Sequence, residues 1–414
     1  MTESAPNNKD NILVDENRRL GMNVLLLAMV VVGVGQSLLF AILPPIARDF
    51  NLNEYHVTFI FSATALFWTI SSPFWGRMSD SLGRKRVMLM GISGFAASTG
   101  GVGLVLYLDE IGWLPVFLMY PMLLITRSIF GMVCPGTFTS AVGYIADRTT
   151  REDRAGGLGK VMAAFLLGTI LGPGLTALLV LVDIYLPFLI SFITALLVLL
   201  AIHLYLPENR PPDVFEENQS RAKLKISDRR IRIFLYISSM GGFLQAVILQ
   251  LTGFFVLDVM QFSTRDATEF LSIGMTCMAV GNIVSQSLIV PYFSMNTSTQ
   301  IFYGSMFMGI GFFLFLLEPT VVLLVVAMAL IGFGLGLNRT GSGAGASLSV
   351  SPQEQGAVAG LLSSTATIGT FFIPVLIVPM YQFDARAPYL FCLLVLLTLF
   401  YANARVKRAG LGQI

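Results

Sequence analysis

The stretch GRMSDSLGRKRVMLMG, residues 76 to 91, places five charged side chains between two strongly apolar segments. Over its 414 residues the chain has 55% hydrophobic and only 12% charged residues. A cluster of charges in so apolar a chain is typical of a short loop between two membrane-spanning segments. The charged side chains of this stretch, called the charged loop below, are Arg77, Asp80, Arg84, Lys85 and Arg86.

Apolar segments of about twenty residues recur on both sides of the charged loop, and each is long enough to cross a bilayer as a helix. Strands are not expected, because no segment alternates like a barrel strand and backbone groups in lipid must be satisfied internally. The sequence therefore predicts an all-α integral membrane protein with twelve spans. They lie at residues 22–45, 55–75, 88–107, 115–145, 157–182, 188–206, 231–257, 267–290, 299–317, 321–347, 356–380 and 388–404.

The basic residues predict the orientation of these spans. If the N-terminus is cytoplasmic, 21 of the 26 lysines and arginines lie in cytoplasmic segments or at the cytoplasmic ends of spans. The opposite side then holds only Arg48, Arg265 and Arg386. Such an asymmetry predicts that both termini are cytoplasmic.

The two halves of the chain resemble each other. RAGGLGKVMAAFLLGTILGP (154–173) aligns with QGAVAGLLSSTATIGTFFIP (355–374), which pairs Gly168 with Gly369 and Pro173 with Pro374. Related bundles that form a substrate site at their interface are typical of transporters. The predicted organisation is a cytoplasmic tail (1–21), a six-helix bundle (22–206), a polar linker (207–230), a second six-helix bundle (231–404) and a cytoplasmic tail (405–414).

Three motifs resemble those of the major facilitator superfamily. Arg127 and Gly131 on the fourth span resemble its second motif. The first motif of the superfamily lies in the loop between the second and third helices. The residues that resemble it here are Gly76, Asp80, Gly83, Arg84 and Lys85, and the sequence departs from it at Met78 and Ser81. The third motif belongs to the drug:proton antiporter (tetracycline/multidrug exporter-like) branch. The residues that resemble it here are Gly159, Gly168, Gly172 and Pro173, and the sequence departs from it at Thr176 and Ala177.

The resemblance implies that the charged loop is a conformational latch beside the start of helix 11 in the outward-facing state. Asp80 would then pair with Arg84, or with Arg151 or Arg154 of the next cytoplasmic loop. Gly76 and Gly83 would permit close helix approach and a tight turn. The simpler alternative is that the loop only fixes the orientation of the chain.

The start of helix 11 is predicted from the sequence SPQEQG. Ser351 is the expected N-cap, Pro352 the first helical residue and Glu354 the partner that completes a capping box.

Helix 5 carries Gly168 and Gly172 four residues apart, followed by Pro173. Small residues at this spacing allow close helix packing, and the proline removes one backbone hydrogen bond. We expect a gating role for this segment, with ordinary helix packing as the alternative.

Arg127 and Arg339 lie inside predicted spans, where each must face a wet cavity or a partner. Arg127 is expected in a proton relay or a structural network, and Arg339 in the cavity or extending toward the cytoplasm. None of the 24 acidic residues lies in mid-span. A cavity with arginines and no acid favours an anionic or zwitterionic solute.

Polar residues on apolar spans complete the predicted cavity, with interhelical hydrogen bonding as the alternative. In this superfamily helices 1, 4, 7 and 10 line the cavity. Asp258 is among the acids nearest the membrane and is included as a relay candidate. The cavity and relay candidates beside the two arginines are Gln36, Gln245, Gln250, Asn338 and Asp258.

The sequence favours a transporter over other classes of protein. It has no P-loop, HExxH or G-x-S-x-G motif, and its basic residues form no single nucleic-acid patch. We expect a monomer in a bacterial inner membrane that exports a small molecule in exchange for protons. No cofactor or metal is expected. Uptake is the alternative direction, and a receptor or scaffold without transport is the alternative class.

Overall fold

The computed structural model describes residues 8–148, 154–207, 224–293, 295–351 and 354–410. The regular secondary structure of these residues is entirely helical, with short turns between the helices, and no strand occurs among them. The first six helices are α1 (Asn8–Ile46), α2 (Glu54–Leu82), α3 (Arg84–Glu110), α4 (Val116–Val133 and Pro135–Ala146), α5 (Arg154–Val180) and α6 (Leu186–Tyr205).

The second six helices repeat this series with more irregular backbone. They are α7 (Arg232–Met260), α8 (Thr264–Val284, Ser285–Ile289 and Val290–Phe293), α9 (Thr297–Leu314), α10 (Val321–Leu348), α11 (Gln355–Ile368, Gly369–Phe372, Ile373–Ile377 and Val378–Phe383) and α12 (Ala387–Arg408).

Eleven of these helices are long and apolar enough to cross a membrane by length and composition. The helix at the ninth predicted span, α9, begins with the polar residues Thr297–Gln300, which shorten its apolar part. At the other end of the chain, α1 starts at Asn8, so helix reaches back into the predicted cytoplasmic tail. The prediction of an all-α membrane protein is confirmed.

The fifth and eleventh helices differ although their sequences are related. α5 is one continuous helix despite Pro173 in its interior. α11 changes to a 3₁₀ turn at Gly369–Phe372 and to a π-helical turn at Ile373–Ile377, around Pro374. A proline removes one helical hydrogen bond, and local 3₁₀ or π turns restore partners to the freed carbonyls.

The described residues form two compact units. The first unit lies within Met1–Ser37, Leu66–Gly172 and Tyr185–Phe215, and the second within Leu38–Ala65, Pro173–Ile184 and Glu216–Ile414. The second unit therefore contains the C-terminal ends of α1 and α5 and the N-terminal part of α2, together with α7 to α12. The boundary predicted at the linker stays a prediction, because residues 208–223 lie outside the described part of the chain.

Each unit has its own apolar core. In the first unit Leu25, Phe95, Phe130 and Val198 belong to a buried cluster from α1, α3, α4 and α6. In the second unit Phe255, Phe315 and Tyr389 pack ring against ring, with centroids 4.4 to 5.7 Å apart. Aromatic groups of this kind bury large apolar areas and fix how the helices are spaced.

The internal repeat corresponds to one recurring close helix contact. In the first unit a Cβ atom on Gly168 of α5 would overlap the carbonyl group of Val30 on α1. In the second unit a Cβ atom on Gly369 of α11 would lie 2.6 Å from the backbone of Phe243 on α7. Glycine is required at both positions because the two backbones touch.

Candidate functional site

Arg84 is the centre of the charged loop. Its guanidinium lies 2.6 Å from Asp80 and 2.9 Å from Asp147 at the end of α4, and it donates to Ser79 Oγ at 2.6 Å. A Cβ atom on Gly143 of α4 would lie 2.6 Å from this guanidinium, so glycine leaves the space that Arg84 occupies. One arginine thus joins the ends of α2 and α4 within the first unit.

Of the three partners predicted for Asp80, Arg84 is the one that pairs with it among the described residues. Arg151 lies outside the described residues, and Arg154 begins α5 with a side chain that also lies outside them. Lys85 donates to the backbone oxygen of His203 at 2.7 Å, which adds the end of α6 to the same network.

The two glycines of the charged loop differ. Gly83 separates α2 from α3 with φ 99°, a left-handed conformation that favours glycine, as the predicted tight turn requires. The reason given for Gly76 is wrong here, because a Cβ atom on Gly76 would meet nothing within 4 Å among the described residues. Close helix approach therefore does not account for Gly76.

The predicted start of helix 11 needs correction. α11 begins at Gln355 with Glu354 as its N-cap, so Ser351 is not the cap, and Pro352 lies outside the described residues. The backbone N–H of Ser351 donates to the Glu354 carboxylate at 3.0 Å, which is half of the predicted capping box.

Glu354 has a further partner that the sequence did not indicate. Arg230, just before α7, donates two hydrogen bonds to its carboxylate at 2.9 and 3.1 Å and also pairs with Asp228. The hydrogen bonds from Arg230, followed by those from Ser351, lower the pKa of Glu354 to about 2. The same arginine lowers the pKa of Asp228.

The glycine face predicted on α5 packs against α1. A Cβ atom on Gly172 would lie 2.7 Å from the carbonyl oxygen of Val34 and would overlap Ser37 Oγ. Together with Gly168, this residue brings α5 and α1 into backbone contact over about one turn of α5. The gating role of this segment stays a prediction.

Arg127 is enclosed in the first unit. Only 4% of the residue is exposed, and its guanidinium lies 4.4 Å from the centroid of the Phe130 ring, one turn further along α4. Phe130 itself packs against Phe95 and Trp68 in the core of that unit. An arginine stacked on an aromatic face is stabilised electrostatically as well as by packing.

Arg339 is the central residue of the candidate site. Its side chain on α10 is exposed, and it donates a hydrogen bond of 3.1 Å to Gln245 Oε1 on α7. Asn338 beside it is buried and lies against Gly241 of α7, one turn before Gln245. The structure thus brings three predicted cavity residues together where α7 and α10 meet.

The other predicted amides are not joined to this group. Gln250 is buried further along α7, and its Oε1 has no hydrogen-bond partner among the described residues. Gln36 is half-buried on α1 in the first unit. The candidate site is therefore defined by Arg339, Gln245 and Asn338.

Asp258 belongs to a different group of charges, named the Arg48 cluster. Arg48, which follows α1, pairs with Glu54 at the start of α2 and with Asp258 near the end of α7, the latter at 3.1 Å. The Tyr381 hydroxyl of α11 donates to the same Asp258 carboxylate at 2.8 Å. The cluster consists of Arg48, Glu54, Asp258 and Tyr381, all in the second unit.

Sequence reasoning missed Asp147, Glu54 and Tyr381 and took Arg48 only as a cation of the non-cytoplasmic side. Each lies at the end of a helix, where charged and aromatic residues are common in any membrane protein. Their pairing depends on which helix ends meet, and the spacing of residues along the chain does not reveal this.

The comparison with known sequences agrees with this architecture. A sequence model described as Major Facilitator Superfamily matches residues 25–374. The chain belongs to this superfamily. Multidrug resistance protein 1 of Bacillus subtilis is 28% identical over 274 residues, which cover 65% of this chain and 67% of that protein. Quinolone resistance protein NorA of Staphylococcus aureus is 22% identical over 263 residues, covering 63% and 65%.

A solved structure shows the same fold for this superfamily member. The nucleoside transporter NupG superposes with a TM-score of 0.72 at 13% identity, over 93% of this chain and 99% of that one. The sequence matches span about two thirds of the length of the two curated relatives. The protein is a multi-pass membrane transporter of the superfamily and not an enzyme.

Proposed function

We propose that this protein exports a small organic solute with negative charge, anionic or zwitterionic, by alternating access coupled to proton entry. Both termini lie in the cytoplasm in this proposal, so the α1–α2 and α7–α8 connections face outward. The bacterial relatives favour a location in the inner membrane. The exporter is proposed to act as a monomer.

The observation that carries the proposal is the surroundings of Arg339. Its guanidinium donates a hydrogen bond to the neutral amide of Gln245, and within the described part of the chain it forms no ion pair. An exposed arginine at this depth faces water rather than lipid, because lipid exposure costs roughly 2.5–3.5 kcal/mol or more. Its positive charge is therefore available to an anionic group of the solute.

The partner of Arg339 argues against the alternative that it extends toward the cytoplasm. Gln245 lies near the middle of α7, so the guanidinium is directed across the helix pair and not toward the helix end. The amide of Gln245 holds one edge of the guanidinium and leaves its other donors for a carboxylate or phosphate.

Export is favoured over uptake by the names of the relatives, which are resistance proteins for multiple drugs and for quinolones. Alternating access is proposed to use the charged loop as its cytoplasmic latch. The Asp80–Arg84–Asp147 network would hold the latch in shape, and contacts of this type contribute roughly 0.3–2 kcal/mol each near helix ends. Such energies are enough to bias two states separated by a few kcal/mol.

Solute binding tests the proposal directly. Purified protein is heated with anionic, zwitterionic and cationic organic solutes, and the shift in melting temperature is measured for each. We expect shifts from the anionic or zwitterionic set that are lost in Arg339→Gln. Arg405→Gln is the matched control, because Arg405 contacts Tyr401 at the end of α12 and its loss should leave binding unchanged.

Transport direction is measured in everted membrane vesicles with an acidic interior. We expect a solute found by the binding screen to accumulate inside wild-type vesicles and not inside Arg339→Gln vesicles. Binding of cationic solutes alone would contradict the charge assignment. Accumulation only in right-side-out vesicles with acid outside would contradict export and favour uptake.

A further inference from the structure

The first turn of α3 concentrates positive charge at one end of a membrane-spanning helix. Arg84, Lys85 and Arg86 occupy this turn, and it contains no acidic residue. Cations are unfavourable at a helix N-terminus, because the backbone N–H groups there already carry partial positive charge. Gly83, the N-cap, has no side chain that could accept from these N–H groups. This end of α3 therefore favours a bound anion.

The three cations of this turn lie in different surroundings. The two aspartates described above compensate the charge of Arg84. Lys85 donates to the backbone oxygen of His203 at the end of α6, which is a neutral acceptor. Arg86 is exposed and lines a groove between α3 and α4. Arg86 thus places a positive charge at the mouth of a largely apolar groove.

The groove between α3 and α4, called the α3–α4 groove, has a volume of about 630 Å³. Small side chains line its inner end, where Ser93 and Ala97 are exposed. Gly94 lies deepest, since a Cβ atom there would lie 2.6 Å from Val133 of α4. From Arg86 to Ala97 the groove follows α3 for about 16 Å. Half of a hydrocarbon layer of ~30 Å is about 15 Å, so the groove has the length of one lipid leaflet.

A second groove lies between α3 and α6 and is called the α3–α6 groove. Its volume is about 320 Å³, and Leu200 and His203 of α6 are among the residues that line it. Leu89 and Ser93 of α3 line both grooves and so form the ridge between them. The contact from Lys85 to His203 places the end of this groove beside the first turn of α3. Two apolar grooves therefore meet at one positively charged helix end.

We propose that the two grooves hold the acyl chains of one anionic phospholipid, with its phosphate at Arg86 and the first turn of α3. A phospholipid has two chains joined at one headgroup, which matches two apolar grooves that meet at a cation. Basic pockets between helices on the cytoplasmic side of a membrane bind headgroups of this kind. The inference goes beyond the proposed export and takes from it only the cytoplasmic position of the charged loop, which assigns the lipid to the cytoplasmic leaflet.

Lipid binding is measured on the purified protein in detergent by native mass spectrometry. The protein is titrated with phosphatidylglycerol and with phosphatidylcholine that carries the same two acyl chains, and an apparent Kd is obtained for each lipid. We expect phosphatidylglycerol to bind more tightly by about fivefold, the contribution of one arginine near an anionic headgroup. Equal affinities of the two lipids for the wild type would overturn the inference.

Arg86→Gln tests the charge. This variant should bind phosphatidylglycerol about fivefold more weakly and phosphatidylcholine as the wild type does. Arg86→Lys should keep most of the preference, because an ammonium group also binds phosphate as a point charge. Arg405→Gln is the matched control and should keep the wild-type preference, since it removes an exposed cation of α12 outside both grooves. An equal loss in Arg86→Gln and Arg405→Gln would indicate attraction to the general surface charge and would contradict the site.

Two phenylalanine variants test the grooves. Ala97→Phe fills the inner end of the α3–α4 groove, whereas Ser93→Phe projects into both grooves from the ridge. The Ser93 hydroxyl donates to the carbonyl of Leu89 within α3, so this hydrogen bond does not join two helices. We expect both lipids to bind more weakly to each variant, with the larger loss in Ser93→Phe. Ala404→Phe, at an exposed position of α12, is the control and should bind both lipids as the wild type does.

The phenylalanine variants keep the inference testable even if Arg86→Gln misfolds. Wild-type affinity for phosphatidylglycerol in both of them would overturn it. Inorganic phosphate separates a lipid from a free anion, and we expect it not to displace phosphatidylglycerol, because buried acyl chains contribute most of the binding. Full displacement by phosphate would show an anion site without a lipid and would also overturn the inference. Because binding is measured without transport, either result leaves the proposed export unaffected.

Discussion

Arg127 and Arg339 both lie deep in membrane spans, yet the structure accommodates them in opposite ways. Arg127 is 4% exposed and stacks on Phe130 in the core of the first unit. Arg339 is exposed and is held by one hydrogen bond to Gln245. From the sequence alone both residues were cations in apolar spans that had to face a wet cavity or a partner, and only Arg127 belonged to a motif that resembles one of the superfamily.

The difference shows what an intramembrane charge does and does not reveal. The cost of an arginine in lipid requires that the protein solvate it, and either protein or water can do so. Where an aromatic face and close packing provide the solvation, the charge is part of the core. Where one neutral amide and open space provide it, the charge is available to a solute.

Replacement of each arginine by methionine should give the largest contrast. Arg127→Met is expected to lower the free energy of unfolding by about 2 kcal/mol, the value of a desolvated cation–π contact. Arg339→Met should change stability much less, because an exposed side chain whose one hydrogen bond goes to a neutral amide contributes about 1 kcal/mol or less. Thermal unfolding of the two purified variants in the same detergent measures both changes.

Arg127→Lys is the control, since an ammonium group can still lie over the Phe130 ring and should retain part of the stability. Some buried charges can be replaced by apolar residues without loss. If Arg127→Met were as stable as the wild type, the structural role would be wrong, and the proton relay predicted from the superfamily motif would gain support.

Gln245→Glu tests the other side of the comparison. It places a carboxylate at the position of an oxygen 3.1 Å from Arg339 and so neutralises the guanidinium. We expect binding of an anionic solute to weaken by about tenfold or more, since a charge-assisted hydrogen bond contributes about 1.5–3 kcal/mol. Titration of the purified variant with the solute that stabilises the wild type provides the measurement.

Gln245→Asn is the matched control, because it retains the amide and shortens the side chain by one methylene. Its solute binding should weaken by only about fivefold, which corresponds to about 1 kcal/mol for one hydrogen bond between the guanidinium and a neutral amide. Equal affinity of Gln245→Glu and wild type for the anion would show that Arg339 does not contact the charged group.

The fold was largely predictable from hydropathy, whereas the polar contacts were predictable only in part. Apolar length predicts the spans because the bilayer requires it, and the spacing of Gly168 and Gly172 predicts a close helix contact, although it does not indicate that α1 is the partner. The link from Asp80 to Arg84 was also within reach, since the two residues are four apart. Local spacing therefore predicted local contacts correctly.

The contacts that were not predicted from the sequence join residues that are distant in the chain. Arg48 and Asp258 are 210 positions apart, and Arg230 and Glu354 are 124 apart. No periodicity links such residues, and their pairing depends on which helix ends converge. The break in α11 was missed for a related reason, because Pro173 and Pro374 occupy matching positions and only one of the two helices changes its backbone there.

A third arginine extends the comparison to a group solvated by water. Arg230 lies outside the spans and holds the pKa of Glu354 at about 2, below its ordinary value of 4.5. Because the folded-state pKa is the lower one, the stability contributed by Glu354 is complete above pH 4.5 and is lost as pH falls toward 2. Exposed ion pairs are weak and screened by salt. At neutral pH Glu354→Gln should therefore lower the free energy of unfolding less than Arg127→Met or Arg339→Met does.

Acid titration of stability isolates that small contribution. Between pH 4.5 and about 2 the wild type should lose stability relative to Glu354→Gln, and the two curves should converge as salt is added. A loss at neutral pH as large as that of Arg127→Met would mean that the pair of Arg230 and Glu354 is not solvated as its exposure indicates. In that case the surroundings of Arg127, Arg339 and Arg230 would not explain how much each arginine contributes to stability.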